Sequence, residues 1–333
     1  MTGRLANLTG QFINLAPKNR YLTGQISHAA THSFQNGKIG QVEQPDCKNE
    51  DFNHDVYKSV CVENGYDFCP KAFKNLDSKW RTAPNYKIAS CVIEKSMSTV
   101  LAAITCYLYD SEKFIQSNRS ITSDVYQTRF CQNVNEFKSV NQLEEALKVR
   151  RFDWLYFTVV RDPIDRFFSG FVDKCLRDTR RLSAADRCFG CKEDVDCVIE
   201  RLHKRSIAFS LGRTKGISFD DIHFFPQNWH CNMKQTYDSL KYVKFASPKR
   251  LEYREMVEKM LGFFRDQGVE LEKLHFIRKS LNTGQTRHST SNLDQRKEIE
   301  AKVRANSTLM RKLVQTFYFD MILFDFDIPN LDF

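Results

Sequence analysis

At 333 residues, with 41% hydrophobic and 13% aromatic content, the chain carries enough apolar material for a sizeable core, which excludes global disorder. Its formal net charge is +9, and basic residues gather at 148–151, 177–181, 201–205 and 249–250. Each cluster alone reads as a solvated helix face; together they favour a polyanionic partner such as nucleic acid, anionic lipid or a sulfated or carboxylated sugar. No run of eighteen apolar residues occurs and the N-terminus lacks a signal-peptide core, so the chain reads as soluble as it stands or as missing an anchor.

Residues 1–45 are rich in Asn, Gln, Gly, Ser and Thr with little periodicity. They read as a poorly ordered stem. Residues 46–80 carry Cys47, Cys61 and Cys69 in what reads as a disulfide-tied subregion. The expected division is therefore a lead-in at 1–80 and one domain at 81–333.

The stretch 86–110 organises that domain. Ile88, Val92 and Ile93 predict a buried strand, and Val100, Ile104, Tyr107 and Leu108 recur at helical spacing. Between them lie Glu94, Lys95, Ser96, Met97, Ser98 and Thr99. A strand, a turn with one Lys and three hydroxyls, and a helix N-terminus make an anion cradle: free N–H groups and the helix dipole face the turn, and Lys95 adds a full charge. The plainer alternative is a βα turn whose Ser98 caps the helix.

Ser139 and Gln142 form a capping-box pattern for a helix to about Val149. The apolar run from Trp154 to Val160 predicts a central parallel strand. Pro163 suits the first turn of a following helix with Ile164, Phe167, Phe168 and Phe171 on its apolar face. Next comes Cys188-x-x-Cys191 with Cys197, ahead of a helical stripe of Val195, Val198, Ile199 and Leu202. Zinc would need a fourth ligand from Cys231, His203 or His230. Eleven cysteines with sequons at Asn7, Asn118 and Asn306 favour disulfides instead, with at least one cysteine free or paired between chains. A third strand is expected at 242–246 and a helix near 253–266. A loop at 282–290 then leads to one long amphipathic helix from about Asn292 to Phe317, with Tyr318, Phe319, Phe324 and Phe326 as core. The βα alternation predicts an α/β fold, a central parallel sheet flanked by helices.

The second constellation is the more informative. In Val-Val-Arg161-Asp162-Pro163-Ile-Asp165-Arg166-Phe-Phe-Ser169, Arg161 sits where a strand ends and a helix begins, and Ser169 follows two turns on. A guanidinium fork matches a phosphate and a hydroxyl adds a donor. The alternative is a surface pair of Arg161 with Asp162 or Asp165.

Together the two stretches resemble the carbohydrate sulfotransferases of the secretory pathway, especially the chondroitin-type branch, as a divergent, nematode-like member. In that family a P-K-x-x-S-T loop holds the 5′-phosphosulfate of 3′-phosphoadenosine-5′-phosphosulfate. An R-D-P-x-x-R-x-x-S segment holds the 3′-phosphate. Lys95, Ser98 and Thr99 match the first, and Arg161, Asp162, Pro163, Arg166 and Ser169 the second. The segment from Asp221 to Gln227, with Cys231, is similar to the family's later D-I-H-W stretch. The likeness covers about residues 86–328.

The resemblance implies a P-loop-like sulfotransferase fold and transfer of sulfate to a glycosaminoglycan such as chondroitin, without a metal. It implies a Golgi lumenal, membrane-anchored glycoprotein, although no anchor is visible in this chain. Lys95 would neutralise the leaving phosphate and His223 act as general base. Ser96, Ser98, Thr99, Arg161, Ser169, His288 and Ser289 would bind the donor. Two departures stand out. Glu94 replaces the usual Pro and puts a carboxylate beside a phosphate site unless it turns away or pairs with Lys95. Met97 replaces a small residue and would crowd the loop. Two rivals remain. A nucleotide-dependent phosphotransferase would want a Walker loop, yet no glycine occurs between Tyr66 and Gly170. A catalytically weakened polyanion binder would carry Glu94 and Met97 as scars. No groove-reading or base-stacking motif supports a nucleic-acid partner.

Overall fold

The computed structural model describes residues 54–178, 186–248, 251–283 and 293–331, all within the unit Cys47–Phe333. In chain order it contains α1 (His54–Cys61), β1 (Val62–Glu63), β2 (Tyr66–Asp67), β3 (Trp80–Ala83), β4 (Ile88–Cys91), α2 (Ser98–Tyr109), α3 (Ser111–Gln116) and β5 (Glu136–Phe137). There follow α4 (Val140–Leu147), β6 (Leu155–Val160), α5 (Pro163–Phe171), α6 (Val195–Ser210), α7 (Phe219–Phe224), α8 (Met233–Thr236) and β7 (Leu240–Lys244). The chain closes with α9 (Glu252–Asp266), α10 (Leu271–Thr283), α11 (Asp294–Arg304) and α12 (Ser307–Leu323).

The main sheet has the order β5-β3-β4-β6-β7. The three strands foreseen from the sequence, β4, β6 and β7, run parallel, with Ser90 opposite Phe157 and Thr158 opposite Tyr242. β3 and β5 extend the β4 edge in antiparallel fashion, so the sheet is mixed. Every residue of β6 is buried, as its unbroken apolar run requires of a strand covered on both faces. Leu155, Phe157 and Val159 share one apolar cluster with α2, α9 and α10. Tyr156 and Val160 point the other way, into a cluster with Trp80, Val140 and Leu143.

A third cluster joins α5, α6 and α12 and includes Tyr57, Val60, Cys61, Cys69 and Leu76. Residues ahead of position 80 thus share a core with α12. The long closing helix divides in two: Asn306 Oδ1 accepts from Leu309 N at 3.1 Å, so α11 ends and α12 starts afresh. Among the described residues five disulfides join Cys61–Cys69, Cys91–Cys231, Cys106–Cys131, Cys175–Cys188 and Cys191–Cys197. The two cysteines of the C-x-x-C pair each bond elsewhere, which removes them as zinc ligands; Cys47 lies outside the described residues. Among the described residues no helix is long and apolar enough to cross a membrane.

Candidate functional site

β4 stops at Cys91, and Val92 and Ile93 carry the buried chain into a tight turn closed by Ser96 N donating to Ile93 O at 3.1 Å. Lys95 and Met97 both adopt the left-handed region, φ 66° and 64°. For residues with a Cβ this costs roughly 1–2 kcal/mol each, so the turn persists only because its surroundings hold it. Ser96 Oγ does part of that by donating to Gln227 Oε1 at 3.0 Å in the interior. Met97 adds to it: its partly buried side chain packs on the α2 cluster. Met97 is also the N-cap of α2 and its side chain makes no cap hydrogen bond; Ser98 is the first helical residue, not the cap. The first-turn N–H groups of α2 are therefore aimed at the turn without an intrahelical partner.

Arg161 stands at the end of β6, one strand away. Its backbone is fixed by Gln227: Arg161 N donates to Gln227 Oε1 at 2.9 Å, and Gln227 Nε2 donates back to Arg161 O at 2.7 Å. Gln227 is itself anchored through its own N–H, which donates to Asp320 Oδ2 on α12 at 2.6 Å. The Arg161 guanidinium lies 4.6 Å from the centroid of Phe245, pairs with Asp165 through Nε, and donates from Nη1 to Lys95 O at 2.9 Å. The anticipated Arg161–Asp165 pair exists, yet it leaves the other end of the fork on the Lys95 turn. Asp165 also receives Arg296 from α11. Burial would raise the Asp165 pKa, but the two guanidiniums outweigh it and hold the carboxyl below its ordinary value.

The two turns thus meet. Arg166, one helical turn into α5, strengthens the junction by donating to Glu94 O and Phe225 O, each at 2.8 Å. Ser169 follows Arg166 by three residues on α5, and Asp173 follows by seven, which puts all three on the side facing the Lys95 turn. Ser169 is buried; Ser98 and Thr99 are half-buried. Lys95 Nζ lies 2.7 Å from Asp173 Oδ2. Burial lowers the Lys95 pKa to about 8, with Asp173 opposing the fall and Lys174 and Arg161 adding to it. Glu94 does not face the cradle: it pairs with Lys79, and its other oxygen lies 3.9 Å from His230 Nδ1. Burial opposes the Lys79 charge, but Glu94 and Asp77 outweigh it and hold its pKa above the usual lysine value.

His223 on α7 donates from Nδ1 to Phe219 O at 2.8 Å, which leaves the Nε2 lone pair free of the ring proton. Burial lowers its pKa to about 3; the Phe219 carbonyl opposes this, and the charges of Lys174, Lys95 and Lys79 reinforce it. The charge of Lys95 in the candidate anion-binding turn therefore reaches His223. His288 and Ser289 lie outside the described residues. Lys174, Asp173, Gln227 and Arg296 complete the site and were not singled out from the sequence.

Among the described residues no group of three or more His, Cys, Asp or Glu side chains is arranged to hold a metal. The arrangement is instead a buried cationic turn next to a helix N-terminus, with a guanidinium fork bonded to the turn, chemistry that suits a ligand with separated anionic groups.

Comparison with known proteins agrees. A model of the sulfotransferase family matches residues 78–327. The putative sulfotransferase vep-2 of Caenorhabditis elegans is 34% identical over 67% of this chain and 68% of its own length. The carbohydrate sulfotransferase chst-1 of the same organism is 30% identical over 77% of each chain. An uncharacterized C. elegans protein, C18B2.2, is 31% identical over 80% of this chain and 74% of its own. No solved structure matches.

Proposed function

Because the chain belongs to the sulfotransferase family, we propose that it moves the sulfuryl group of 3′-phosphoadenosine-5′-phosphosulfate to a hydroxyl of a glycosaminoglycan such as chondroitin. The observation that carries this reading is the bond from Arg161 Nη1 to Lys95 O, which brings the two candidate phosphate-binding turns into one site. When bound, the donor supplies a sulfuryl group on a good leaving phosphate. Lys95, Ser98, Thr99 and the first N–H groups of α2 hold its 5′ end; Arg161 and Ser169 hold the 3′-phosphate.

Transfer asks for an acceptor oxygen, sulfur and leaving oxygen in line, with the growing phosphate charge offset. Lys95 offsets that charge as the bond from sulfur to the phosphate oxygen breaks. His223 Nε2 takes the acceptor proton as the new oxygen–sulfur bond forms. A base whose resting pKa is about 3 is weak, but much of that depression comes from burial and from lysine charges that an anionic donor would offset. The net charge of +9 favours an acidic acceptor.

Two placements favour transfer over binding alone. Glu94 is turned to Lys79, and Met97 packs on the core. Five disulfides support an oxidising compartment, here taken as the Golgi lumen. Asn118 and Asn306 are exposed and open to glycosylation there.

Labelled sulfate donor offered with a panel of desulfated glycosaminoglycans tests the proposal. Wild type is expected to label at least one acidic glycan, more weakly as salt is raised. Lys95→Ala should lose roughly 10²–10³-fold in kcat. Polyanion binding with no donor binding by calorimetry would instead make the chain a binder.

A further inference from the structure

The transferase reading, on which this inference rests, requires Lys95 to present a protonated ammonium to the leaving phosphate. What holds that ammonium is a feature of the backbone after α5. The helix widens into a π-helical turn, Val172–Arg177. Such turns re-aim side chains and recur at functional sites. This one presents Asp173, whose Oδ2 takes Lys95 Nζ at 2.7 Å and Lys174 Nζ at 3.1 Å. One carboxylate oxygen bridges two ammoniums, and all three side chains are only 7–8% exposed.

The other charged groups near Lys95 are cations, each with a carboxylate partner of its own: Arg161 with Asp165, Lys79 with Glu94 and Asp77, and Lys174 with Asp178 as well as Asp173. Arg161 faces Lys95 from the end of β6, His223 lies beside it on α7, and Lys79 faces His223 from the approach to β3. Asp178 engages Lys174 at 3.1 Å from the far end of the π turn. A buried ion pair is weak evidence for stability, because the desolvation of both charges offsets their attraction. A carboxylate placed on the ammonium that the chemistry needs has a different use.

We propose that Asp173 is a positioning residue for transfer: it holds Lys95 across the turn, keeps its ammonium protonated, and gives it up to the donor phosphate while Lys174 stays on the carboxylate. The electrostatics agree. Burial draws the Lys95 pKa down, and Asp173 is the largest opposing influence. Without it the ammonium would lose its proton at lower pH and part of the population would carry neutral Lys95 in the neutral range.

The test is to titrate Lys95 itself, by NMR of the full chain labelled with 13Cε-lysine, its resonance assigned with Lys95→Arg. In Asp173→Asn the Lys95 titration is expected to fall by about one pH unit or more. The alkaline limb of kcat/KM should move to lower pH with it, and Asp173→Glu should restore most of both. Lys174→Met should move the titration upward, because Lys174 opposes the Lys95 charge. That variant decides the matter if Asp173→Asn does not fold. A Lys95 titration that stays put in Asp173→Asn, or in Lys174→Met where only that variant folds, overturns the proposal. If wild type transfers no sulfate, the transferase reading fails, and the NMR titration still decides whether Asp173 controls Lys95.

Discussion

Arg161 Nη1 donates to the carbonyl oxygen of Lys95 at 2.9 Å, across 66 residues of sequence. The contact joins the end of β6 to the turn after β4, two neighbouring parallel strands. Sites in open α/β sheets gather outside the carboxyl ends of such strands, and here both ends carry a cation.

The first prediction concerns the fork. Arg161→Lys keeps a charge but cannot serve Asp165, Lys95 O and a phosphate together. Hydrogen bonds to charged groups contribute about 1.5–3 kcal/mol, so Arg161→Ala should lose roughly 10- to 150-fold in kcat/KM for the donor. The loss should sit mainly in donor KM, with Arg161→Lys recovering only part. Unchanged donor KM in steady-state assays would remove Arg161 from donor binding.

Much of this site could be read from the chain itself, and the reason is local. Lys95 and Arg161 each lie where an apolar strand gives way to a helix, and that change of period is written in consecutive residues. Gln227 carried no such mark: its use depends on Ser96, 131 residues away, and on Arg161. Asp173 was hidden in the same way: it lies in the π turn after α5, and its partner Lys95 is 78 residues away in sequence. The antiparallel edge was missed because β3 and β5 are four and two residues long, too short to set a period. The apparent long helix at 292–317 hid its break because Asn306 also reads as an ordinary polar position until its side chain is seen capping Leu309.

Acid should destabilise the fold through its buried histidines. Burial lowers His203 to about 4, His223 to about 3 and His230 well below its ordinary value. Between the unfolded value near 6.5 and these folded values, the unfolded chain binds protons that the folded chain does not, so stability is full above about pH 6.5 and falls as pH drops. His203, bonded to Thr316 at 3.1 Å inside the α6–α12 contact, is the one remote from the site. His203→Gln should flatten the dependence of Tm on pH between about 6.5 and 4 without altering donor affinity at neutral pH. An identical pH slope in the variant would contradict the assignment.

The Cys91–Cys231 bond spans 140 residues and ties the end of β4, just before the Lys95 turn, to the segment just after Gln227. Loop-closure entropy for a crosslink of this span is about 5 kcal/mol. Cys91→Ser with Cys231→Ser should therefore lower unfolding stability by up to that amount in denaturant titrations. Donor affinity should weaken more than in a Cys61→Ser/Cys69→Ser pair, whose bond spans 8 residues away from the cradle. Equal effects of the two double variants on donor affinity would show that the longer bond does not hold the site together.

Gly170 links the donor side of the site to the proposed base. A Cβ there would lie 2.9 Å from Phe224 Cε1, closer than carbon atoms pack. Phe224 follows His223 on α7, and its ring is fully buried against Phe167. The ring is packed between Phe167 and Phe189, so the methyl displaces it or the helix that carries it. Gly170→Ala is expected to cost about 1–3 kcal/mol by overpacking. Because the strain falls on the helix that carries His223, kcat should drop while donor KM, set by the Lys95 and Arg161 turns, changes little. Pairing it with Phe224→Leu should return both stability and kcat towards wild type, since the smaller side chain admits the methyl. A double variant less stable than Gly170→Ala alone would mean the clash is relieved elsewhere and the coupling of α5 to α7 is not through Phe224.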